Sequence, residues 1–427
     1  MNILITSCSR DVTLVNTFRR ALINNGGGKV FAADINPMTP ALYFADEYVI
    51  VPGSDSEEFI PYLIKFCREK SVKLLISSRD AELPVLAEAK EDFAAIGCRV
   101  MLAPPNTIKI CQNKILFGKF CEENDIPTLK IYRDEKNLKF PVFVKPVLGA
   151  GSKNSYRINN HQEYKFIKAY IKEEFLIQEF LDWPEYTIDL FTDFNGQILS
   201  VIPRERIQTV AGESFAGKTL NNKRLINSAV HLTEKLGLIG HNTLQCFFDG
   251  KAVKYIEVNP RFGGGANLGF HSGANTPEML IRLCLGEKLQ PQIARFEDEL
   301  VMLRYTRDVF FKVQHEGDKK NKLITERSTA ANRIICIDVD GTICTENVEY
   351  EKALPIEKTI KKINELYDRG NTIILYTARG AYSGTDWSEL TESQLRAWGV
   401  KYHRFMIGKP FAHEYVDNKA VDILDWF

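Results

Sequence analysis

The sequence predicts a protein of several α/β and α+β domains. Its 427 residues exceed what one ordinary hydrophobic core organises, and the length favours two or three modules. Short apolar runs alternate with amphipathic stretches over the first hundred residues, which is the pattern of a parallel sheet with covering helices. A polar stretch near residue 320 is followed by a new apolar strand, RIICID, which predicts a separate C-terminal unit.

These changes of pattern give four predicted segments. Residues 1–104 form a Rossmann-like domain, residues 105–312 an α+β domain, residues 313–332 a polar linker, and residues 333–427 a second Rossmann-like domain.

The composition points to small-molecule partners. Lys+Arg and Asp+Glu number 55 each, so no overall field favours nucleic acid or a membrane surface. The start MNILITSCSR lacks a signal-peptide pattern, and no apolar run is long enough to cross a bilayer, so we expect a cytoplasmic protein. The nine cysteines form no CxxC pair or zinc-type cluster, which indicates reduced thiols.

The first module does not have the pattern of a dinucleotide site. Its first turn reads TSCSRDV, where close approach to a pyrophosphate needs GxGxxG. The strand ends are instead expected to contact substrate, with Arg79 in SSRDAELP as the candidate residue. Asp80 beside it is equally consistent with a helix cap.

The second module begins with one long predicted helix, NTIKICQNKILFGKFCEEN, and continues with strand-like TLKIYR and FPVFVKP. A distributed set of motifs then follows in order: QNK, FVKP, GAGS, IQEFL, PEYT, LQCFF and IEVNPRFGG. Together they resemble the ATP-grasp superfamily, in particular the branch of carbamoyl-phosphate synthase halves and carboxylate–amine ligases. The resemblance covers about residues 1–310 and identifies residues 1–104 as a pre-ATP-grasp domain.

Activation of a carboxylate by ATP needs cations at the triphosphate, an adenine edge, a ribose acceptor and oxygen ligands for Mg²⁺. The resemblance assigns the cations to Lys114 and Lys145, the adenine contact to Glu179 and the ribose contact to Glu185. A glycine-rich loop would close over the phosphates. The candidate nucleotide-binding residues are Lys114, Lys145, Gly149, Gly151, Ser152, Gln178, Glu179 and Glu185.

The segment KYIEVNPRFGG predicts a metal site. Strand alternation places Glu257 and Asn259 on one face, and Gln245 on the preceding strand would complete the ligands, although its amide is neutral. Arg261 is expected to stabilise charge on the transferred phosphoryl group or the acyl phosphate. The alternative is a solvated strand face that ends in a turn.

Arg204 and Arg206 in IPRERIQTVAGES are candidate substrate-binding residues, because arginine can bind a carboxylate or phosphate through two hydrogen bonds. A surface strand of alternating charge would give the same pattern.

The C-terminal segment contains DVDGT directly after a buried strand pattern, and it resembles the first motif of the haloacid dehalogenase (HAD) phosphatases. Three further elements follow in order: IILYTAR with Thr377, FMIGKP with Lys409, and EYVDNKAVD with Asp417 and Asp422. The chain between the first two motifs leaves no room for a cap domain. This segment is therefore most similar to the compact capless phosphatases of capsule biosynthesis, although Asn418 stands where that family commonly has Asp.

The resemblance implies the roles of these residues. Asp338 would attack phosphorus, and Asp340 would protonate the leaving alcohol and then activate water. Thr377 and Lys409 would hold phosphate oxygens. The Mg²⁺ ligands would be Asp338, the backbone carbonyl of Asp340, and Asp417.

The leading hypothesis is a bifunctional enzyme. An ATP-grasp ligase joins a carboxylate to an amine, and a phosphatase hydrolyses a phosphate ester, in small-metabolite or surface-glycan tailoring. Its cofactors would be ATP and Mg²⁺ or Mn²⁺ in both sites, and the resemblance allows a homodimer. Two alternatives stay open: an ATP-grasp kinase beside the phosphatase, and a non-catalytic nucleotide-binding regulator.

Overall fold

The computed structural model describes residues 1–149, 154–210, 212–310, 334–346 and 349–409, together with the backbone of 311–312 and 322–323. The chain divides into two compact units. One comprises residues 2–15 and 30–307, and the other comprises residues 308–427 with residue 1 and residues 16–29. The domain boundaries drawn from the sequence remain predictions.

Five parallel strands form the first sheet, in the order β3-β2-β1-β4-β5. Its elements are β1 Asn2–Thr6, α1 Val12–Asn24, β2 Val30–Asp34, α2 Pro40–Phe44, β3 Glu47–Ile50, α3 Phe59–Glu69, β4 Val72–Ser77, α4 Leu83–Glu88, α5 Lys90–Ala95 and β5 Arg99–Val100. The βαβ alternation predicted from the sequence is confirmed. Buried aliphatic residues of the strands, such as Leu4 and Leu75, pack against Leu63 of α3 and Leu86 of α4.

The long helix predicted next is wrong as a single element. Two helices form instead, α6 Pro105–Gln112 and α7 Lys114–Glu123. Asn113 between them has an extended backbone, and its side-chain oxygen accepts hydrogen bonds from the amides of Ile115 and Leu116. This N-cap places Lys114 at the first position of a new helix.

A small antiparallel sheet with its own core follows, in the order β7-β6-β8. It consists of β6 Val142–Pro146, β7 Tyr156–Ile158, α8 His161–Tyr170 and β8 Phe175–Glu179. Val142, Val144 and Ile177 pack against Tyr164 of the helix.

Six antiparallel strands form the largest sheet, in the order β13-β12-β9-β10-β11-β14. The elements are β9 Glu185–Thr192, β10 Ile198–Val210, β11 Glu213–Thr219, α9 Lys223–Leu236, β12 His241–Phe248, β13 Val253–Asn259, α10 Asn267–His271, α11 Thr276–Cys284 and β14 Val301–Leu303. One face of this sheet buries Ile188, Leu244 and Val258 against α9. The opposite face is polar and carries six of the predicted site residues, Glu185, Arg204, Arg206, Gln245, Glu257 and Asn259.

The C-terminal unit contains a parallel three-stranded sheet in the order β17-β18-β19. Its described elements are β15 Phe311–Lys312, β16 Lys322–Leu323, β17 Ile334–Asp338, α12 Glu357–Asp368, β18 Thr372–Thr377, α13 Ser388–Ala397 and β19 Arg404–Ile407. Ile337 and Leu375 of the strands pack with Ile363 and Leu395 of the helices. The sheet predicted around DVDGT is therefore present. Within the described ranges, no helix is long and apolar enough to span a membrane.

Candidate active sites

The polar face of the six-stranded sheet brings the predicted metal ligands together. Gln245 of β12 lies directly opposite Glu257 of β13, and Thr243 lies opposite Asn259. The Asn259 amide donates a hydrogen bond to Glu257 Oε1 at 3.2 Å, so these two side chains share a face. A change of register leaves Ile256 without a directly opposed residue, which is a β-bulge beside the site.

This donor set fits a hard cation. One carboxylate and two amide side chains offer oxygen ligands, which Mg²⁺ prefers, although they carry only one negative charge. Among the described residues no group of three His, Cys, Asp or Glu side chains is placed to hold a metal. A cation at Glu257 would therefore depend on amide oxygens and on the phosphates of a nucleotide.

The predicted triphosphate cations lie near this face. Lys145 of β6 is 6% exposed. Its burial lowers the pKa to about 8, with Lys114 acting in the same direction, while Glu257 and Glu185 oppose the shift. Lys114 donates from Nζ to the carbonyl of Gly149 at 2.8 Å.

Glu185 and Arg206 form an ion pair on the same face. Arg206 Nε lies 3.0 Å from Glu185 Oε1, and the other guanidinium nitrogens donate to Thr187 Oγ1 at 3.3 Å and the Gly212 carbonyl at 2.8 Å. Burial raises the pKa of Glu185, although Arg206 and Lys145 oppose that shift. The proposed ribose acceptor thus already has an arginine partner.

The strand that carries the predicted adenine contact is also ordered by side-chain bonds. Glu179 Oε1 accepts from the Lys130 amide at 2.9 Å and from Lys254 Nζ at 2.5 Å. Gln178 is buried and pairs through its backbone with Phe143. Gly149 has a φ of 113°, which favours glycine. Gly151 and Ser152 lie outside the described residues.

Arg204 is buried beneath the polar face. It is 1% exposed, and its Nε and Nη2 donate to the two carboxylate oxygens of Asp189 at 2.7 and 3.2 Å. Its Nη1 donates to Ser214. Because the guanidinium is enclosed by protein, this placement does not favour the substrate contact expected from the sequence.

The glycines after Arg261 pack closely against side chains on the polar face of the six-stranded sheet. A β-carbon at Gly265 would lie 2.6 Å from Arg204 Nη1, and one at Gly263 would lie 2.7 Å from Thr243 Oγ1. Only glycine fits at such distances without movement of its neighbours. The NPRFGGG segment is therefore shaped by the buried residues below it.

Arg261 reaches the first sheet. Its Nε and Nη2 donate to Oδ1 and Oδ2 of Asp80 at 2.8 and 2.5 Å, and both side chains are partly exposed. Asp80 is the first residue of a short 3₁₀ turn, and among the described residues its carboxylate is bonded to Arg261 and makes no capping bond. Arg79 beside it is exposed and makes no side-chain ion pair among the described residues. Arg79 directly precedes Asp80, the partner of Arg261, in the chain.

Two family models match parts of this chain. Residues 3–101 match the family model described as "PylC-like, N-terminal domain". Residues 172–307 match the model described as "ATP-grasp in the biosynthetic pathway with Ter operon". Residues 172–307 are therefore similar to an ATP-grasp domain, and residues 3–101 to the domain named by the first model.

The curated proteins that match this chain include much longer ones. It is 24% identical over 249 residues to the arginine-specific large chain of carbamoyl phosphate synthase from Neurospora crassa, which is 52% of this chain and 21% of that relative. The chain therefore spans about a fifth of the length of the first curated relatives it matches.

Two solved structures share the fold. Biotin carboxylase of Campylobacter jejuni, solved with β,γ-ATP, has a TM-score of 0.57 at 13% identity and covers 86% of this chain and 91% of its own. L-amino acid ligase of Bacillus licheniformis has a TM-score of 0.53 at 19% identity and covers 67% and 75%.

Outside the ATP-grasp region, the carboxyl ends of β17, β18 and β19 gather the predicted phosphatase residues. Lys409 Nζ donates to Asp338 Oδ2, and Thr377 Oγ1 donates to Asp340 Oδ2 at 3.1 Å. Burial raises the pKa of Asp338, whereas its bond with Lys409 opposes that shift. The four residues converge as predicted for the edge of a parallel sheet. Asp417 and Asp422 lie outside the described residues.

Sequence reasoning missed one residue here, Arg379. Its side chain is fully buried and contacts both carboxylate oxygens of Asp340. Burial acts to lower the pKa of Arg379, but the bond with Asp340 outweighs it and raises the pKa. The available signal was position alone, because Arg379 follows Thr377 by two residues at the same strand end.

Proposed function

We propose that residues 1–310 form an ATP-dependent carboxylate–amine ligase. One observation carries the proposal: a buried lysine, Lys145, lies near a strand face that bears the oxygen ligands Glu257 and Asn259. A cation on one side and a metal-binding set on the other form a suitable cradle for a triphosphate. The names of the similar proteins, a carbamoyl phosphate synthase and an L-amino acid ligase, agree with this class.

In the proposed reaction a substrate carboxylate oxygen attacks the γ-phosphorus of ATP, and the bond to ADP breaks. The amine nitrogen then attacks the carbonyl carbon of the acyl phosphate, and inorganic phosphate leaves with the former carboxylate oxygen. Lys145 and Lys114 bind phosphate oxygens, and Arg261 stabilises charge on the acyl phosphate. Mg²⁺ held by Glu257, Asn259 and Gln245 would supply charge neutralisation at the phosphates.

The C-terminal segment is proposed to be a HAD-type phosphatase for a phosphate monoester. Its support is the convergence of Asp338, Asp340, Thr377 and Lys409 at one sheet edge. A carboxylate beside a lysine suits attack on phosphorus, and a second carboxylate two residues later suits proton transfer. Mg²⁺ would offset repulsion between Asp338 and the phosphate, and Asp417 is the further proposed ligand.

The ligase and the kinase alternative can be distinguished in one experiment. The Asp338→Asn protein, which cannot form an aspartyl-phosphate, is incubated with Mg²⁺, ATP and pairs of acids and amines, and products are followed by mass spectrometry. A ligase forms ADP and an amide only when both organic substrates are present. ADP formed with a single organic substrate, together with a product heavier by one phosphoryl group, would instead identify the kinase alternative.

A further inference from the structure

Arg379 makes the densest set of polar contacts in the described part of the C-terminal site. Its Nε lies 3.0 Å from both carboxylate oxygens of Asp340, and its Nη2 lies 2.7 Å from Oδ1. The Arg379 side chain is 0% exposed, whereas that of Asp340 is 21% exposed. Arg379 therefore binds the buried side of the Asp340 carboxylate, and the other side of the carboxylate is open to the site.

The guanidinium itself is fixed by α13. Nη1 donates to Gln394 Oε1 at 2.7 Å and to Thr391 Oγ1 at 3.2 Å. The ring of Tyr350 lies 4.7 Å from the guanidinium carbon, and the Gln394 amide donates to the Tyr350 carbonyl. Such fully satisfied buried polar networks hold one geometry.

The two oxygens of Asp340 differ in their contacts. Oδ1 accepts from Arg379 Nε and Nη2 and from the Cys344 thiol. Oδ2 accepts from Arg379 Nε and from the Thr377 hydroxyl. A hydroxyl can rotate to another acceptor, so Oδ2 is the oxygen that binding of a phosphate at Thr377 would release.

We propose that Arg379 is the positioning residue that makes Asp340 Oδ2 the proton-transferring atom of the phosphatase. This inference rests on the proposed phosphatase function. When the Thr377 hydroxyl turns to a phosphate oxygen, Arg379 keeps Oδ1 in place and Oδ2 faces the leaving group. The arrangement serves alkyl phosphates, because an alkoxide leaves poorly unless it receives a proton.

The steps balance as follows. Asp338 attacks phosphorus, the bond from phosphorus to the ester oxygen breaks, and that oxygen takes the proton of the Asp340 carboxyl group to leave as an alcohol. The Asp340 carboxylate then takes a proton from water. The resulting hydroxide attacks the aspartyl-phosphate, and inorganic phosphate leaves while the Asp338 carboxylate is restored.

The test compares two esters that differ in their need for a proton. The full chain, Arg379→Lys and Asp340→Asn are assayed for kcat/KM on p-nitrophenyl phosphate and on ethyl phosphate. The value of kcat/KM reports the steps up to loss of the leaving group. We expect Arg379→Lys and Asp340→Asn to lose about 100-fold or more on ethyl phosphate but less than about tenfold on p-nitrophenyl phosphate, whose phenolate leaves without protonation.

Arg369→Gln is the matched control, because Arg369 is an exposed arginine of the same unit whose one ion pair among the described residues is with Glu365. Arg369→Gln should leave kcat/KM unchanged for both p-nitrophenyl phosphate and ethyl phosphate. Should Arg379→Lys be insoluble, Gln394→Leu loosens the guanidinium without touching Asp340 and should give the same selective loss to a smaller degree.

Equal losses on the two esters, or no loss on either, would overturn the role of Arg379 while the phosphatase stands. Absence of hydrolysis of both esters by the unaltered chain would overturn the phosphatase and this inference together. As a reading independent of activity, the Nε proton resonance of Arg379 should shift in the Asp340→Asn protein, since its carboxylate acceptor is lost. An unchanged resonance would contradict the bond on which the proposal stands.

Discussion

The ATP-grasp site and the C-terminal site differ in how their charged side chains are paired. Within the described residues the side chain of Lys145 is buried yet makes no hydrogen bond or ion pair, and its pKa is lowered to about 8. In the C-terminal site Asp338 is bonded to Lys409 and Asp340 to Arg379. The first site holds an uncompensated cation that a polyanion would neutralise, whereas the second neutralises its own carboxylates.

This difference in pairing has different consequences for ligand binding and for the free energy of unfolding. Removing an unpaired buried cation costs the fold little, because its burial was already unfavourable. Removing one member of a buried ion pair leaves the other charge without compensation. We therefore expect substitution of Lys145 to reduce ligand binding with little loss of stability. Substitution of Arg379 should reduce the stability of the C-terminal unit.

The largest expected effect is on ATP turnover. Glu257→Gln combined with Asn259→Ala should reduce ADP formation by about 1,000-fold or more, since the metal contributes several kcal/mol of charge stabilisation. Hydrolysis of p-nitrophenyl phosphate should be unchanged, because the strands that carry these ligands and Asp338 pack into different hydrophobic cores. Asp338→Asn is the reciprocal control. Loss of both activities in a folded double variant would show that the two sites depend on each other.

The next effect concerns stability. Arg379→Ala should destabilise the C-terminal unit by about 2–3 kcal/mol, because the Asp340 carboxylate loses its buried partner. Hydrogen exchange of the β17 and β18 amides, measured by mass spectrometry, reports this locally. Lys145→Met should not destabilise the β6 region, and protection of the β6 amides should be equal or higher. Faster exchange in β6 would mean that Lys145 has a structural partner.

The pH dependence of Lys145 gives a smaller and more specific signal. On folding, the pKa of Lys145 falls from 10.5 to about 8, so below pH 8 the lysine is charged in both the folded and the unfolded protein. The cost of burying this charge therefore destabilises the fold fully below pH 8 and declines as the pH rises from 8 toward 10.5. ATP affinity should therefore weaken above pH 8 as the free protein loses this charge. Titration calorimetry between pH 7 and pH 9 measures the trend.

Lys145→Arg is the control for that titration, because arginine keeps its charge across the range. Its ATP affinity should be nearly constant from pH 7 to pH 9 after correction for the nucleotide. An identical decline in both proteins would place the titrating group elsewhere.

The smallest expected effect is at the contact between Asp80 and Arg261. Asp80→Asn keeps the shape but removes the charge, so Arg261 should lose part of its orientation and kcat/KM for the ligase should fall by about tenfold. Phosphatase activity should not change. Arg79→Gln, an adjacent exposed arginine, gives the comparison, and a larger loss there would make Arg79 the more important of the two.

The sequence predicted the elements whose signal is local. Strand alternation placed Glu257 and Asn259 on one face, and the DVDGT segment was correctly placed at the end of a strand of a parallel sheet. The break at Asn113 was missed, because a helical apolar pattern continues across it and only the side-chain cap interrupts the helix.

Pairing between distant residues was not predictable in the same way. Arg204 was predicted to bind substrate, with an exposed strand of alternating charge as the alternative, but Asp189 on the neighbouring strand and Gly265 enclose its guanidinium. The pairs of Arg261 with Asp80 and of Arg379 with Asp340 depend on tertiary packing that no local period encodes. The residue types indicated the candidate chemistry. Which of these side chains can contact a ligand depends on the ion pairs that they form in the folded protein.

Transfer of oxygen tests the central claim most directly. The acid identified in the substrate screen is labelled with ¹⁸O in its carboxylate and supplied with ATP, Mg²⁺ and the amine to the Asp338→Asn protein. An acyl phosphate intermediate requires one labelled oxygen to appear in the inorganic phosphate released with each amide formed. Amide formation with unlabelled phosphate would contradict the proposed activation of the carboxylate by the ATP-grasp site.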